Sequence, residues 1–282
     1  MNKSKYIRLG YGETSLLFIN WIENNKWDKI SDFDKRQLIK SKTTLINWLY
    51  TTSGYYDSSI SGTYFDFDAK KAENESYKRY MKLLYEASSN AYVLQLCFHN
   101  FEETIKAYKD EFYKSFNAKK HEPIGIRHVC ELVDNKRVLV ISSFANLVKQ
   151  QIVSGNHKKI HNIYPPILDV ITYTTPYTFF NSGPDGHMLN TLEKIKQDIK
   201  QLRDQFDVAI ISFGSYTALL ADYIYQELDK SVLCIGRMLQ VVFGIKTSRT
   251  ITESMKNPEY WIPVPDEYKP PNYQKIENGC YW

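Results

Sequence analysis

Three glycine-bearing turns hold most of the side chains with chemistry to offer. In Ile7-Arg8-Leu9-Gly10-Tyr11-Gly12-Glu13 an apolar run enters a turn with two glycines. Glycine tolerates positive φ and lets a ligand approach the backbone closely. Arg8 can neutralise phosphate or a neighbouring acid, and Glu13, at the expected start of a helix, can hold a divalent cation that bridges a diphosphate. The same residues also suit a plain tight turn with a capping glutamate and an Arg8–Glu13 ion pair. The second turn, Ser212-Phe213-Gly214-Ser215-Tyr216, follows a strongly apolar run and suits a phosphate or a ribose. Its bland alternative is a structural glycine with Ser215 as a helix cap. The third, Ile235-Gly236-Arg237-Met238-Leu239, repeats the pattern and adds a permanent positive charge. Asp185 and His187, in Asn181-Ser182-Gly183-Pro184-Asp185-Gly186-His187, are candidates for a general base, although such a run also makes ordinary turns.

The elements around these turns read as strands alternating with helices. Arg137–Ser142, Leu168–Tyr173, Asp207–Ser212 and Ser231–Ile235 are short β-branched or apolar runs. Helical stretches follow them at Phe144–Ile152, Leu189–Arg203, Tyr216–Leu228 and Met238–Phe243. That alternation predicts βαβ units and an α/β, doubly wound, mostly parallel Rossmann-like sheet covered on both faces. Such sheets bind ligands outside the carboxyl ends of their strands, where helix N-termini present free N–H groups. The first half opens with a strand at Lys5–Leu9 and a helix over Glu13–Glu23. It then becomes mainly helical from about 25 to 130, with helices expected over Phe33–Tyr50, Ser76–Ala87 and Phe101–Phe116 and one more strand within Ala91–Phe98. Tyr55–Asp68 reads as a loop. The tail from Pro258 to Trp282 carries five prolines and ends on two aromatics, so it is expected to dock on the body without long regular structure.

Composition narrows the classes. With 282 residues, 43% hydrophobic and 24% charged, the chain can bury a full core. Its net charge of +4, from 36 basic and 32 acidic side chains, is too small and too dispersed for a nucleic-acid footprint. Cys97, Cys130, Cys234 and Cys280 are scattered, with no CxxC pair, which argues for reduced thiols and against a zinc site. His157 and His161 flank Lys158 and Lys159 and read as a solvated basic patch. No window reaches the length of a transmembrane helix and no signal-type apolar core follows Met1–Lys5, so a cytoplasmic location is expected. There is no G-x-S-x-G elbow and no P-loop, and the Rossmann fingerprint is broken by Ser15 at its third glycine position.

Arg8-Leu9-Gly10-Tyr11-Gly12-Glu13 resembles the R-x-G-D-G-E opening of glycosyltransferases of the GT-D fold. Asp207–Tyr216 is similar to their strand and G-x-Y turn. Cys234–Lys246 is similar to their G-G-x-x-Q-x-x-F-G-I segment, and Glu277–Trp282 to their tail. The resemblance implies one glycosyltransferase-like domain over 1–282, with the helical stretch as an insertion. It implies transfer of a sugar from a nucleotide diphosphate sugar, a UDP-sugar first among them, to a saccharide or glycoprotein acceptor. Arg8 and Glu13 would then be catalytic, and Gly10, Tyr11, Gly12, Gly214, Ser215, Tyr216, Gly236 and Arg237 would bind the donor. Family members commonly hold Mn or Mg through a D-x-E motif. Here Tyr11 replaces the aspartate and Arg237 the second glycine of the G-G pair, so a metal would depend on Glu13 alone. A catalytically silent nucleotide-sugar-binding protein of the same fold, or a sugar-phosphate-modifying enzyme on the same scaffold, is the alternative.

Overall fold

The structure, a computed structural model, describes residues 3–50, 75–97, 107–178, 184–185, 188–250 and 255–282. Its centre is a parallel sheet of β1 (Lys5–Leu9), β2 (Val93–Leu96), β3 (Arg137–Ser142), β4 (Asp169–Tyr173), β5 (Val208–Ser212) and β6 (Ser231–Cys234). The spatial order is β2-β1-β6-β5-β3-β4, and every neighbouring pair runs parallel. The strands alternate between two cores, as the two-residue period of a strand requires. Ile7, Leu9, Leu94, Leu139, Ile141, Ala209, Ile211 and Val232 enter one core, whereas Tyr6, Val93, Val138, Val140, Val208, Ile210 and Leu233 enter the other.

Each core is closed by its own helices. The first face carries α1 (Tyr11–Asn25), α2 (Asp32–Tyr50), α3 (Glu75–Ser88), α4 (Lys109–Ser115), α8 (Met188–Gln201) and α9 (Thr217–Gln226). The second carries α5 (Ile126–Val133), α6 (Ala145–Val153) and α10 (Met238–Phe243), with the short α7 (Asn156–Ile160) beside them. Helices on both faces make the sheet doubly wound, in keeping with a Rossmann-like arrangement. The chain leaves β1 and β5 toward the first face but leaves β6, which lies between them, toward the second. The crevice at the carboxyl end of β6 is therefore a topological switch point, the usual ligand position in such sheets.

Polar links fix the amino end of the sheet. At the amino edge, Lys5 is 1% exposed and donates to Asp222 at 2.8 Å and to Ala87 O at 2.9 Å, joining β1 to α9 and α3. Arg137 holds Asp207 through its backbone N–H and guanidinium at 2.7–3.2 Å, clamping β3 to β5. That clamp keeps the Asp207 carboxyl down at about 2, chiefly through the Arg137 hydrogen bonds.

Most expected elements form, with several differences. α1 starts two residues early because Gly10 is its N-cap. The expected Phe101–Phe116 helix is α4 within the described residues; 98–106 and the 55–68 loop lie outside them. The end of the 189–203 stretch tightens into a 3-10 turn at Arg203–Gln205, and Gly214–Tyr216 forms another before α9. A two-stranded parallel sheet of β7 (Ile245–Lys246) and β8 (Ile262–Pro263) was not expected. It is two residues long on each side, too short to leave a periodic signal. Through it the tail meets the body, and Trp261, Val264 and Ile276 are buried.

Candidate functional site

The three glycine turns converge at the carboxyl edge of β1, β6 and β5. Gly10, at φ −70°, caps α1 without a side-chain hydrogen bond, and the first intrahelical bond runs from Thr14 N–H to Gly10 O at 3.0 Å. The N–H groups of Tyr11, Gly12 and Glu13 therefore lie in the first turn, where a helix has no intrahelical acceptors and carries partial positive charge. The sequence reading gave the Gly10 and Gly12 pair positive φ, and this is corrected: neither adopts it. Space at Gly10 is tight, because a β-carbon there would lie 2.7 Å from Glu13 Oε2 and would push that carboxylate aside. Gly12 is buried, and Tyr11, on the outer side of the first turn, is 48% exposed.

Gly214 and Gly236 do adopt positive φ, at +43° and +55°. At Gly236 a β-carbon would stand 2.8 Å from Arg8 Nη1, so the Arg8 guanidinium lies directly over the β6 turn. Arg8 acts on Glu13 through space, and a contact ion pair between them does not form among the described residues. Instead Ser215 Oγ donates to Glu13 Oε1 at 3.4 Å, tying the α1 turn to the β5 turn. The latter is held from behind: Tyr80 Oη donates to Ser215 O at 3.2 Å, and Phe213 N–H donates to Thr217 Oγ1 at 2.9 Å. Tyr216 is wholly buried and stacks on Phe213 with ring centroids 4.3 Å apart. It supports the turn from the core side. Arg237 forms the N-cap of α10.

The charges at this edge are unusual for a structural turn. Burial pushes the Glu13 carboxyl above its ordinary value, against the lowering pull of its own backbone N–H, Ser215 and Arg8. Cys97 also belongs here. The register pairs Leu9 with Leu96, which sets Cys97 beside Gly10 just beyond the end of β2. Burial raises its thiol, while Arg8 and Arg237 lower it and Glu13 raises it further. Sequence reasoning missed Cys97 because only the β2–β1 pairing brings it to the edge, and nothing in its local sequence marks it.

Other candidates fall elsewhere. Asp185 is engaged at the start of α8, where Thr191 Oγ1 donates to it at 2.7 Å and Lys194 pairs with it. Those hydrogen bonds hold its carboxyl below the ordinary value, led by Lys194, which makes it a weak base. His187, with Asn181–Gly183 and Gly186, lies outside the described residues. The solvated basic patch is corrected for His157. This ring is 2% exposed, hydrogen-bonded from Nδ1 to Gln151 O at 3.0 Å and packed edge-on to Tyr164. Burial lowers its pKa. Lys158 and Lys159 are exposed as expected.

The donors at the edge do not fit a hard divalent cation. Among the described residues no group of three or more His, Cys, Asp or Glu could hold a metal ion. Glu13, a carboxylate destabilised by burial and faced by guanidinium charge, offers little of the oxygen-rich shell that Mn or Mg requires. The arrangement is suited to an anion: two arginines, a helix N-terminus and two positive-φ glycine turns around one crevice. No helix among the described residues is long and apolar enough to cross a membrane. Comparison of the chain with family models, curated proteins and solved structures finds no match.

Proposed function

We propose that the chain is a glycosyltransferase of the GT-D type, taking a sugar from a nucleotide diphosphate sugar and passing it to a saccharide or glycoprotein acceptor. The observation that carries this reading is the Arg8 guanidinium seated over Gly236, beside the α1 N-terminus and at the switch point of the sheet. Breaking a glycosyl–phosphate bond leaves negative charge on the departing diphosphate. Fixed donors aimed at that charge stabilise the transition state more than the ground state. Arg8, Arg237 and the first-turn N–H groups of α1 supply those donors. Glu13, held by Ser215, is the nearby group able to accept or carry a proton, and its raised pKa brings it toward the working range of an acid–base catalyst. Gly10, Gly214 and Gly236 admit the diphosphate close to the backbone, with Ser215 and Tyr11 in the adjoining turns. In this reading the helical stretch over 25–130 is the insertion that carries acceptor choice.

A second reading, a silent nucleotide-sugar-binding protein, is favoured by one feature. The family aspartate is replaced by Tyr11, an exposed phenol where a hard cation prefers a carboxylate oxygen. Incubation with a panel of nucleotide sugars, scoring release of the nucleoside diphosphate, separates the two. Release from at least one donor, lowered at least a hundredfold by Glu13→Gln, is the expected result. Binding without release, with metal-dependent release gained on Tyr11→Asp, establishes the silent form. Absence of binding by every nucleotide removes both.

A further inference from the structure

The register of the sheet sets one further polar residue beside Arg8. Arg8 pairs with Gln95 of β2, on the side of β1 away from β6. Neighbouring strands lie about 4.7–4.9 Å apart, and paired residues of parallel strands point to the same face. Here that is the second face. Ile7, Leu9, Leu94 and Leu96 fill the first core, so Arg8 and Gln95, which alternate with them, point the other way. Two contacts agree with this. The Arg8 guanidinium reaches the β6 turn at Gly236, and Gln95 Oε1 accepts from the N–H of Ile124, a residue of the second core, at 2.8 Å.

That one hydrogen bond fixes the amide. A backbone N–H can only donate, so the end of Gln95 that meets it is the carbonyl oxygen, and Nε2 is the opposite end. Residues 119–120 run along the outer edge of β2, where Leu94 N–H donates to Lys120 O at 2.9 Å and Lys120 N–H to Tyr92 O at 3.1 Å. Ile124 continues from that segment, so Oε1 is committed to the outer side of β2 and Nε2 is left for the side of β1. Gln95 and Arg8 are both half-buried, and among the described residues neither Nε2 nor the Arg8 guanidinium has a hydrogen-bond acceptor. A guanidinium cannot accept, and the accepting end of this amide is already occupied. Two adjacent groups that can only donate call for a ligand made of acceptors.

We propose that Gln95 is a further binding residue of the crevice, its Nε2 donating to an oxygen of the diphosphate that Arg8 holds, on the β2 flank of the anion. The identification of the anion as a nucleotide rests on the function proposed above; the pairing of the two donors does not. A hydrogen bond from a neutral amide to a charged oxygen is charge-assisted and directional. It adds no further positive charge to an edge that already carries Arg8 and Arg237. The Ile124 N–H holds the amide in place before a ligand arrives, so little side-chain freedom is lost on binding.

Calorimetric titration of UDP and of inorganic pyrophosphate, at fixed ionic strength, tests the proposal on the wild-type chain and on Gln95→Met, Gln95→Glu and Arg8→Gln. The expected result is saturable binding of both ligands to the wild type. Gln95→Met, close in shape but without a donor, weakens both about tenfold, the scale of one lost hydrogen bond to a charged group. Gln95→Glu keeps an oxygen for Ile124 but turns a carboxylate toward the anion, and weakens both further. A residue that only holds Ile124 would lower the unfolding midpoint of Gln95→Met without changing its affinity. Wild-type affinity for both ligands in Gln95→Met therefore overturns the proposal, and if Arg8→Gln still weakens them the nucleotide reading stands. A loss confined to UDP moves the contact off the diphosphate and overturns the proposal as well. Pyrophosphate binding that depends on both Arg8 and Gln95, without UDP binding, keeps the donor pair and removes the nucleotide. No binding of either ligand by the wild type removes both. Should Gln95→Met fail to fold, Gln95→Glu decides, and unchanged affinity there overturns the proposal.

Discussion

Glu13 shows how much the edge depends on single residues. Its carboxylate is crowded against Gly10 and weakly held by Ser215, and burial raises its pKa above 4.5. A group whose folded pKa lies above its unfolded value binds protons more readily in the native state, so its contribution to stability is present at low pH and lost as pH rises through the folded value. At neutral pH the charged Glu13 therefore costs stability. Glu13→Gln is expected to raise the unfolding free energy at pH 7 by about 1 kcal/mol. The gain should shrink as pH falls through the carboxylate range, in denaturant titrations at several pH values. A variant less stable at pH 7 than at pH 4, relative to wild type, contradicts this placement. Arg8, Gly10 and Glu13 were readable from their types and spacing alone. Cys97 was not, because it reaches the edge through a strand pairing that the local sequence does not announce. The bland alternative of an Arg8–Glu13 ion pair gives way to a different contact, in which Arg8 lies over Gly236.

At the scale of elements, the segment from α6 to β8 joins the carboxyl edge to the tail. Gln151 is fully buried in α6, and its Nε2 donates to Gly244 O at 2.8 Å and to Tyr260 O at 2.9 Å. One amide thus satisfies the C-cap of α10 and the approach to β8. Removing it leaves Tyr260 O without that donor and Gly244 O with the Ile262 N–H alone, a loss of about 1–2 kcal/mol. Gln151→Ala should show this as a lower unfolding free energy by chemical denaturation, whereas a change below about 0.5 kcal/mol would deny Gln151 the role of latch. The strands and long helices of this region were legible because apolar runs of five or six residues and a 3.6-residue period survive in the sequence, as in Arg137–Ser142 and Met188–Gln201. The latch was not. A polar residue on an apolar helix face reads as solvent-facing until the segment that covers it is known, and for His157 that cover is Tyr164.

For the whole molecule, the order β2-β1-β6-β5-β3-β4 turns three separated stretches of sequence into one crevice. Alternating strands and helices made the parallel sheet legible, but strand order is set by packing between distant segments and carries no local signature. That order brings the turn after residue 9 beside the turn after residue 234 and makes them flank the switch point. On the proposed function, this crevice binds the diphosphate of a nucleotide. Its most direct measurement is the UDP affinity of the wild-type chain against Arg8→Gln by isothermal calorimetry, with unfolding curves showing both folded. Saturable binding by the wild type that weakens at least tenfold in Arg8→Gln is the expected result; equal affinity in the two proteins, or no binding by the wild type, rules out a diphosphate site at this crevice.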